Sequence, residues 1–220
     1  MSTNVWDEFL RIRDELLKIR KENLRFEGDK FKRKNWSKLS TVEKSNQVNA
    51  FIDFMIKELN ITNKPTWSFS TSLGKDVAGA YYPLRNKIII AESLLCKKSG
   101  KELALTIGHE LRHAYQRQLY LNSENLKKVS GRYTTAENRI LYYINNPKHE
   151  PATEWGRNMF ISYISEGPGY WKQPVEKDAH AYEADLSEML FGQNFRKEIN
   201  KKLKKIRNKY LNFQKNKRGG

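Results

Sequence analysis

The chain has 220 residues, of which 38% are hydrophobic and 30% are charged, so it is long enough for one domain with a buried core and appendages. No apolar run is long enough to span a membrane. The N-terminus contains Asp7 and Glu8 where a signal peptide would carry a basic and then an apolar segment. The single cysteine, Cys96, excludes an internal disulfide framework. These features predict a cytoplasmic protein.

The net charge of +16 is concentrated at the two ends of the chain. Residues 196–220 contain 11 Lys and Arg against one Glu, and residues 1–40 contain 11 basic against 7 acidic residues, which leaves residues 41–195 nearly neutral. A basic C-terminal helix or tail can bind nucleic acid or another anionic surface through counterion release. It can equally be a solvated helix that keeps the protein soluble. The candidate nucleic-acid contacts are Lys201, Lys202, Lys204, Lys205 and Arg207.

Residues 3–25 repeat apolar side chains at steps of four and three, which predicts an amphipathic helix. Such a helix packs either on the domain or on another copy of the chain, so self-association through it is one expectation. Gly28 and the basic run 30–38 predict a break and a linker. Residues 1–38 are therefore predicted to form an N-terminal amphipathic helix with a basic linker. The apolar positions of the helix are Val5, Phe9, Ile12, Leu16 and Ile19.

Residues 39–195 are predicted to form the compact domain. Ser40 and Glu43 fit a capping box that starts a helix. Between residues 65 and 90 the apolar residues alternate and glycines interrupt them, which predicts two or three strands of a small sheet. Pro83 cannot donate a ladder hydrogen bond, so its strand is expected at an edge or near a turn. Such an edge could dock an extended peptide, although a buried structural strand explains the pattern equally well. The apolar set of the helix is Val48, Phe51, Ile52, Met55 and Leu59.

The most specific motif is His109-Glu110-x-x-His113, which lies in a run that predicts a helix. Residues four apart share one face of a helix, so His109 and His113 would present two imidazoles side by side. Two such ligands suit a tetrahedral zinc ion, and Glu110 beside them is a candidate general base. The alternative is an exposed helix that carries this spelling by chance.

The helix that carries this motif is predicted to start at a second capping box, Ser99 to Glu102, and to continue to about Leu121. Residues 114–173 are predicted to be an insertion over the site, with one short helix around Trp155. Another helix is predicted to start at Pro174, because proline is favourable in the first turn.

A catalytic zinc takes three protein ligands and leaves one position for water. Glu176 is our choice for the third ligand, because it lies near the start of a helix whose small residues Ala179 and Ala184 could pack closely on the histidine helix. His180 is its main competitor, followed by Asp178. An ordinary carboxylate in the first turn of a helix is the remaining explanation for Glu176.

Several of these segments resemble the ImmA/IrrE-type metallopeptidases of bacteria, phages and mobile elements, within the gluzincin-like zincins. The resembling stretches are residues 79–81, 88–90 and 107–113, and residues 176–184 are similar to the Glu-x-x-Ala helix of that family. The resemblance implies an α+β fold, mainly helical, with a small, mostly antiparallel sheet and an active-site helix. It also implies that Glu176 binds zinc. A phage-encoded member would be associated with the virion.

The sequence thus predicts a zinc-dependent peptidase with one zinc ion per chain, in which Glu110 moves the proton of a metal-activated water. A protein or peptide would be the substrate. Candidate groups for the oxyanion or for bracing the ligands are His180, Asp178, Tyr182 and Tyr170. The alternative is a nucleic-acid- or phage-particle-associated protein whose zincin domain is vestigial.

Overall fold

The computed structural model describes residues 3–74, 77–121, 152–160, 163 and 169–192. This part of the chain is mixed α+β and mostly helical, as predicted. Among its described helices, none combines the length and apolar character needed to cross a membrane. The elements are α1 (Thr3–Lys30), α2 (Arg33–Trp36), α3 (Thr41–Glu58), β1 (Thr66–Ser70), β2 (Gly79–Tyr82), β3 (Lys87–Ala91), α4 (Lys101–Leu121), α5 (Ala152–Phe160) and α6 (Pro174–Phe191), with short 3-10 helices at Glu92–Leu94 and Tyr170–Lys172.

Helix α1 is longer than predicted and enters the core at its C-terminal end. It runs through Gly28 to Lys30, so the predicted break at Gly28 was wrong. A Cβ built on Gly28 would lie 2.1 Å from the carbonyl oxygen of Leu190 on α6, so glycine lets these two backbones meet. Phe31 and Trp36 lie in the stretch predicted to be a linker, yet both are buried and their rings stack at 5.3 Å. The surrounding lysines concealed the core position of Phe31 from a reading of composition.

Helix α3 forms as the sequence predicts. The Ser40 side chain accepts a hydrogen bond from the Glu43 backbone N–H, and the Glu43 carboxylate accepts one from the Ser40 backbone, which confirms the capping box. The helix ends beside Asn60, whose φ of 51° lies in the left-handed region that asparagine tolerates. The predicted apolar set, Val48, Phe51, Ile52, Met55 and Leu59, is buried.

The three strands form one mixed sheet in the order β1-β3-β2. Strand β3 pairs in parallel with β1, where Trp67 lies opposite Ile88, and antiparallel with β2, where Tyr81 lies opposite Ile88. The prediction of a mostly antiparallel sheet was therefore wrong. Strand β3 lies between the two earlier strands and runs parallel to β1. Alternating side chains identify strands but not their neighbours. Strand β2 is an edge strand and Pro83 begins the turn that follows it, which confirms the expectation for this proline.

Helices α4 and α6 pack closely against each other, and this contact positions the candidate site. A Cβ on Gly108 would lie 2.2 Å from Cδ2 of Leu186, so the glycine makes room for the leucine. Leu186 and Ala179 of α6 are buried in this contact. The predicted packing of the Glu176 helix on the histidine helix is confirmed.

The ends of these helices match the predictions in part. Helix α4 extends to Leu121, and Pro174 occupies the first turn of α6, as predicted. The predicted capping box at Ser99 was wrong. Ser99 Oγ accepts only a long, 3.4 Å hydrogen bond from the Lys101 N–H, and Glu102 pairs with Lys97 instead.

Two predicted regions are described incompletely. Helix α4 continues into the predicted insertion, residues 114–173, and α5 covers the expected short helix around Trp155. Residues 122–151 and 193–220 lie outside the described residues. The five candidate nucleic-acid contacts of the tail belong to the second of these ranges. The division into residues 1–38, 39–195 and 196–220 remains a prediction.

Candidate metal centre

Three side chains from α4 and α6 converge between the two helices. Nε2 of His109 lies 3.2 Å from Nε2 of His113. The carboxylate of Glu176 joins them, with Oε2 3.4 Å from His109 Nε2 and Oε1 3.4 Å from His113 Nε2. The sequence separates these residues widely, but packing of α6 on α4 brings them into one cluster.

The spacing of the three groups suits a small metal ion. Ligand atoms about 2.0–2.2 Å from a tetrahedral zinc lie about 3.3–3.5 Å from one another, close to the distances between His109, His113 and Glu176. Glu176 is 0% exposed, and its Oε2 has no hydrogen-bond partner among the described residues. A buried carboxylate oxygen without a partner is costly, and a cation between the two imidazoles would compensate it.

His180 forms a second, looser set with the same centre. Ligand atoms of His109, Glu176 and His180 all lie within 4.8 Å of one another. However, His180 Nε2 lies 4.0 Å from Glu176 Oε2, and its Nδ1 lies 3.1 Å from Glu183. The set with His113 has shorter distances and fits a tetrahedral ion better. His180 therefore lies beside the centre, where it flanks Glu176 and Glu183.

Glu183 is a residue that sequence reasoning missed. Its Oε2 lies 3.5 Å from His109 Nδ1, on the side of the ring that faces away from Glu176. Carboxylates commonly hold a metal-binding histidine in this way and fix the ring nitrogen that faces the metal. Glu183 lies seven residues, two helical turns, after Glu176, and this spacing was the available signal.

A second network holds His113. Its Nδ1 lies 2.9 Å from Gln116 Oε1, and Gln116 Nε2 donates to the Val175 carbonyl oxygen at 3.0 Å and to Asp178 Oδ2 at 2.7 Å. Both neighbours of Nε2 are acceptors, so the amide oxygen must face His113. His113 Nδ1 is then the protonated nitrogen, and Nε2 presents its lone pair to the centre.

Asp178 has a different role from the ligand that sequence reasoning considered. Arg112 donates to both of its carboxylate oxygens, at 2.7 and 2.9 Å. Such a two-bond pair fixes the plane of the carboxylate, so Asp178 in turn fixes the amide of Gln116. Asp178 therefore holds Gln116 against His113 and does not point to the centre.

The electrostatics of the cluster call for a positive charge at its centre. Burial alone would lower the pKa of His109, but the carboxylates of Glu176 and Glu183 outweigh it and raise that pKa to about 10. Burial would raise the pKa of Glu176, yet its contacts with the two imidazoles hold it well below the usual range. A proton on His109 or a metal ion in its place can supply this charge.

Glu110 lies next to the cluster in a dry environment. It is buried, and burial raises its pKa above the ordinary value. Gly79 of β2 lies directly against it, because a Cβ on Gly79 would be 3.1 Å from Glu110 Cγ and 3.2 Å from its Oε1. The same Cβ would lie 2.7 Å from Thr106 Cγ2. The edge strand therefore confines the Glu110 side chain.

Of the tyrosines, Tyr170 and Tyr163 accompany the cluster. The Tyr163 hydroxyl donates to Glu176 Oε1 at 2.8 Å, and its ring meets that of Tyr170 edge to face at 6.2 Å. Burial and the Glu176 charge raise the pKa of both tyrosines. Sequence reasoning named Tyr170 but missed Tyr163. Tyr182 instead lies against Arg112, whose Cζ is 5.2 Å from the centroid of the Tyr182 ring. The described contacts of Tyr182 do not include Glu176.

Comparison with protein-family models gives a partial match. Residues 42–130, two fifths of the chain, match the sequence model of peptidase family M48. This match supports a zincin-like metallopeptidase in general. No curated protein and no solved structure matches the chain significantly. The predicted resemblance to the ImmA/IrrE type is not tested by these comparisons.

Proposed function

We propose that the protein is a zinc-dependent metallopeptidase, in which His109, His113 and Glu176 hold one zinc ion per chain and Glu110 is the general base. One observation carries this proposal. Three groups of the types that bind zinc are spaced as tetrahedral ligands, and the buried Glu176 Oε2 has no hydrogen-bond partner among the described residues.

The family match agrees with this chemistry. The matched range includes His109, Glu110 and His113, and peptidases of family M48 are zinc-dependent hydrolases that act on proteins. Glu176 lies beyond the matched range, so its assignment as a ligand depends on the geometry of α6. The narrower ImmA/IrrE assignment depends on the same helix.

The proposed roles of the residues follow from their surroundings. When bound, zinc supplies Lewis acidity, which lowers the pKa of a water molecule and polarises a peptide carbonyl. Glu110 accepts a proton from the attacking water and passes it to the leaving amine. Its raised pKa favours this exchange because a carboxylate of ordinary acidity would hold the proton less well. The Tyr163 hydroxyl donates a hydrogen bond to Glu176 Oε1 and so orients this carboxylate.

We further propose that a peptide substrate binds along β2. This strand lies at the edge of the sheet and packs on α4 next to Glu110. An extended peptide can pair with such an edge through main-chain hydrogen bonds. Gly79 would then bring the peptide backbone close to the proposed base.

Metal content and peptidase activity test the proposal. We expect about one zinc per chain in the wild type, and its loss in His113→Ala and Glu176→Ala. Glu188→Gln, which changes an exposed carboxylate on the same helix, is the control and should keep the metal. Glu110→Gln should keep zinc but lose peptidase activity. Full zinc binding by Glu176→Ala, or wild-type activity of Glu110→Gln, would refute the assigned roles.

The charge of residues 196–220 favours a second candidate, a nucleic-acid- or particle-associated protein with a vestigial zincin domain. Eleven basic residues against one acidic residue would give strongly salt-dependent binding. Deletion of residues 196–220 should then abolish DNA or RNA binding measured at low salt. Binding that is absent, or that does not depend on salt, would remove this candidate.

A further inference from the structure

The exposed face of α1 has a pattern that the proposed peptidase activity does not explain. Helix α1 meets the rest of the described structure near its C-terminal end, through Leu24 and Gly28. Every side chain from Asp14 to Asn23 is exposed, although Arg20 pairs with Glu58 at 2.7 Å. In proteins, most of the stability of a helix comes from packing of its amphipathic face rather than from propensity. The outer part of α1, whose described side chains are exposed, therefore leaves an apolar face open to a partner.

The apolar residues of this face follow a heptad repeat. Their steps of four and three give an average period of 3.5, the period of a coiled coil. Three apolar members of the repeat have described side chains and are exposed, Leu16 by 61%, Ile19 by 48% and Phe26 by 67%. We call this set the α1 seam. Its seven positions are Val5, Phe9, Ile12, Leu16, Ile19, Asn23 and Phe26.

The α1 seam lies opposite the surface that α1 presents to the domain. At 100° per residue, the centre of the seam is about 130° from the face that carries Leu24 and Gly28. A second helix on the seam would therefore leave the contacts of Leu24 and Gly28 in place, and it would approach the domain at the flank that carries Arg20 and Glu27, where Arg20 pairs with Glu58. Two copies could lie side by side with their domains on the outside.

The charges beside the seam identify the partner and its direction. The positions on one flank, Glu8, Glu15 and Glu22, are all acidic, and Arg13 and Arg20 occupy the other flank. In a parallel pair of identical helices, each residue of the acidic flank faces the residue of the partner's other flank whose number is higher by five. Glu8 then faces Arg13, and Glu15 faces Arg20, which also pairs with Glu58 of its own chain, whereas an antiparallel pair would place acid against acid.

The C-terminal end of the repeat departs from this pattern at two positions. Glu22 would face Glu27 of the other copy, but Glu27 is paired with Lys30 at 2.7 Å, which neutralises it. Asn23 occupies a seam position, where a single asparagine fixes register and favours a defined number of strands. An amphipathic helix that binds anionic membranes would instead carry mainly Lys and Arg on its polar face.

From these observations we infer that the α1 seam binds a second copy of the same chain in a parallel coiled coil. The partner contributes the same seam and the complementary flank. This association is independent of zinc and of the proposed peptidase activity. It would join two domains through their N-terminal helices.

Sedimentation of the full chain at several concentrations tests the inference. We expect the mass to rise with concentration above that of one chain, 26.0 kDa. Leu16→Glu would bury a charge in both copies, so the dissociation constant should rise at least about a hundredfold. Leu17→Glu is the matched control: Leu17 is the next residue and 53% exposed but lies outside the seam, so this variant should associate like the wild type.

A third variant tests the direction of the helices. Glu15→Lys would face Arg20 in a parallel pair and should weaken association, whereas in an antiparallel pair it would relieve repulsion and strengthen it. Stronger association would therefore overturn the parallel arrangement. A wild type that is monomeric at every concentration would overturn the inference as a whole. The same holds for a wild type that stays monomeric in solution and co-sediments with anionic phosphatidylserine vesicles.

Discussion

Gln116 is the residue whose role in the site can be tested most sharply. We expect Gln116→Leu to weaken zinc binding, because the variant cannot accept the hydrogen bond from His113 Nδ1. The imidazole is then free to turn, or to place its proton on the nitrogen that must face the metal. Loss of such a supporting contact typically costs about 10–100-fold in metal affinity, which corresponds to about 1.4–2.7 kcal/mol. Competition with a chromophoric chelator measures this affinity.

A matched control separates positioning from general stability. Gln118 is also a buried glutamine of α4, and its side chain accepts from the Thr62 N–H at 2.6 Å and donates to the Asn60 carbonyl oxygen at 2.8 Å. Gln118→Leu should therefore destabilise the fold by an amount comparable to Gln116→Leu, about 1–3 kcal/mol. It should leave zinc affinity unchanged, because none of its partners belongs to the cluster.

The Gln116→Glu variant gives the opposite combination. Its carboxylate still accepts from His113, but it meets Asp178 and the Val175 carbonyl, which accept hydrogen bonds from the wild-type amide. We expect it to keep most of the zinc affinity while losing stability. Long-range ¹H–¹⁵N spectra should show the proton on His113 Nδ1 in the wild type and in this variant. Zinc affinity within twofold of the wild type for Gln116→Leu would refute the positioning role.

Three further predictions concern glycine contacts and pH. Gly79→Ala should lower peptidase turnover at least about tenfold with zinc retained, because its Cβ would clash with Thr106 and crowd Glu110; unchanged turnover would contradict this. Gly28→Ala should lower the free energy of unfolding, measured with denaturant, by about 1–3 kcal/mol, because its Cβ meets the Leu190 carbonyl. The control Gly74→Ala has space for its Cβ. A gain in stability for Gly28→Ala would mean that helix propensity outweighs the clash. The pKa of Glu176 is lowered from 4.5 in the metal-free fold, so its contribution is complete above pH 4.5 and is lost on acidification. Thermal unfolding of the metal-free wild type should therefore lose stability below that pH more steeply than Glu176→Gln, and parallel curves would exclude this contribution.

Local patterns in the sequence predicted most of the elements but not how they meet. The capping box at Ser40, the strands between residues 65 and 90 and the start of α6 at Pro174 depend on short-range signals, and the structure has all three. The strand order and the core position of Phe31 depend on contacts between distant residues. Periodicity carries no information about such contacts.

The candidate site shows the same limit. Helical spacing placed His109 and His113 on one face and suggested that Glu176 could join them, and the structure brings the three together. Glu183 and the role of Gln116 were missed because both depend on the relative position of α4 and α6. Asp178 and Tyr182 were considered for the site, but both contact the Arg112 guanidinium instead. A single sequence could not reveal these contacts between α4 and α6.

The contact between Gly28 and Leu190 has a consequence for biosynthesis. During translation α4 is made well before α6, so the two histidines emerge from the ribosome without the carboxylate that completes their cluster. Helix α6 then docks between α4 and α1, and its last turn rests on the backbone of the first helix that was made. The proposed metal centre can therefore be completed only after α6 has been made and has docked on α4. Zinc capture would thus report that synthesis has proceeded past α6, and a truncated product would leave both histidines without their third partner.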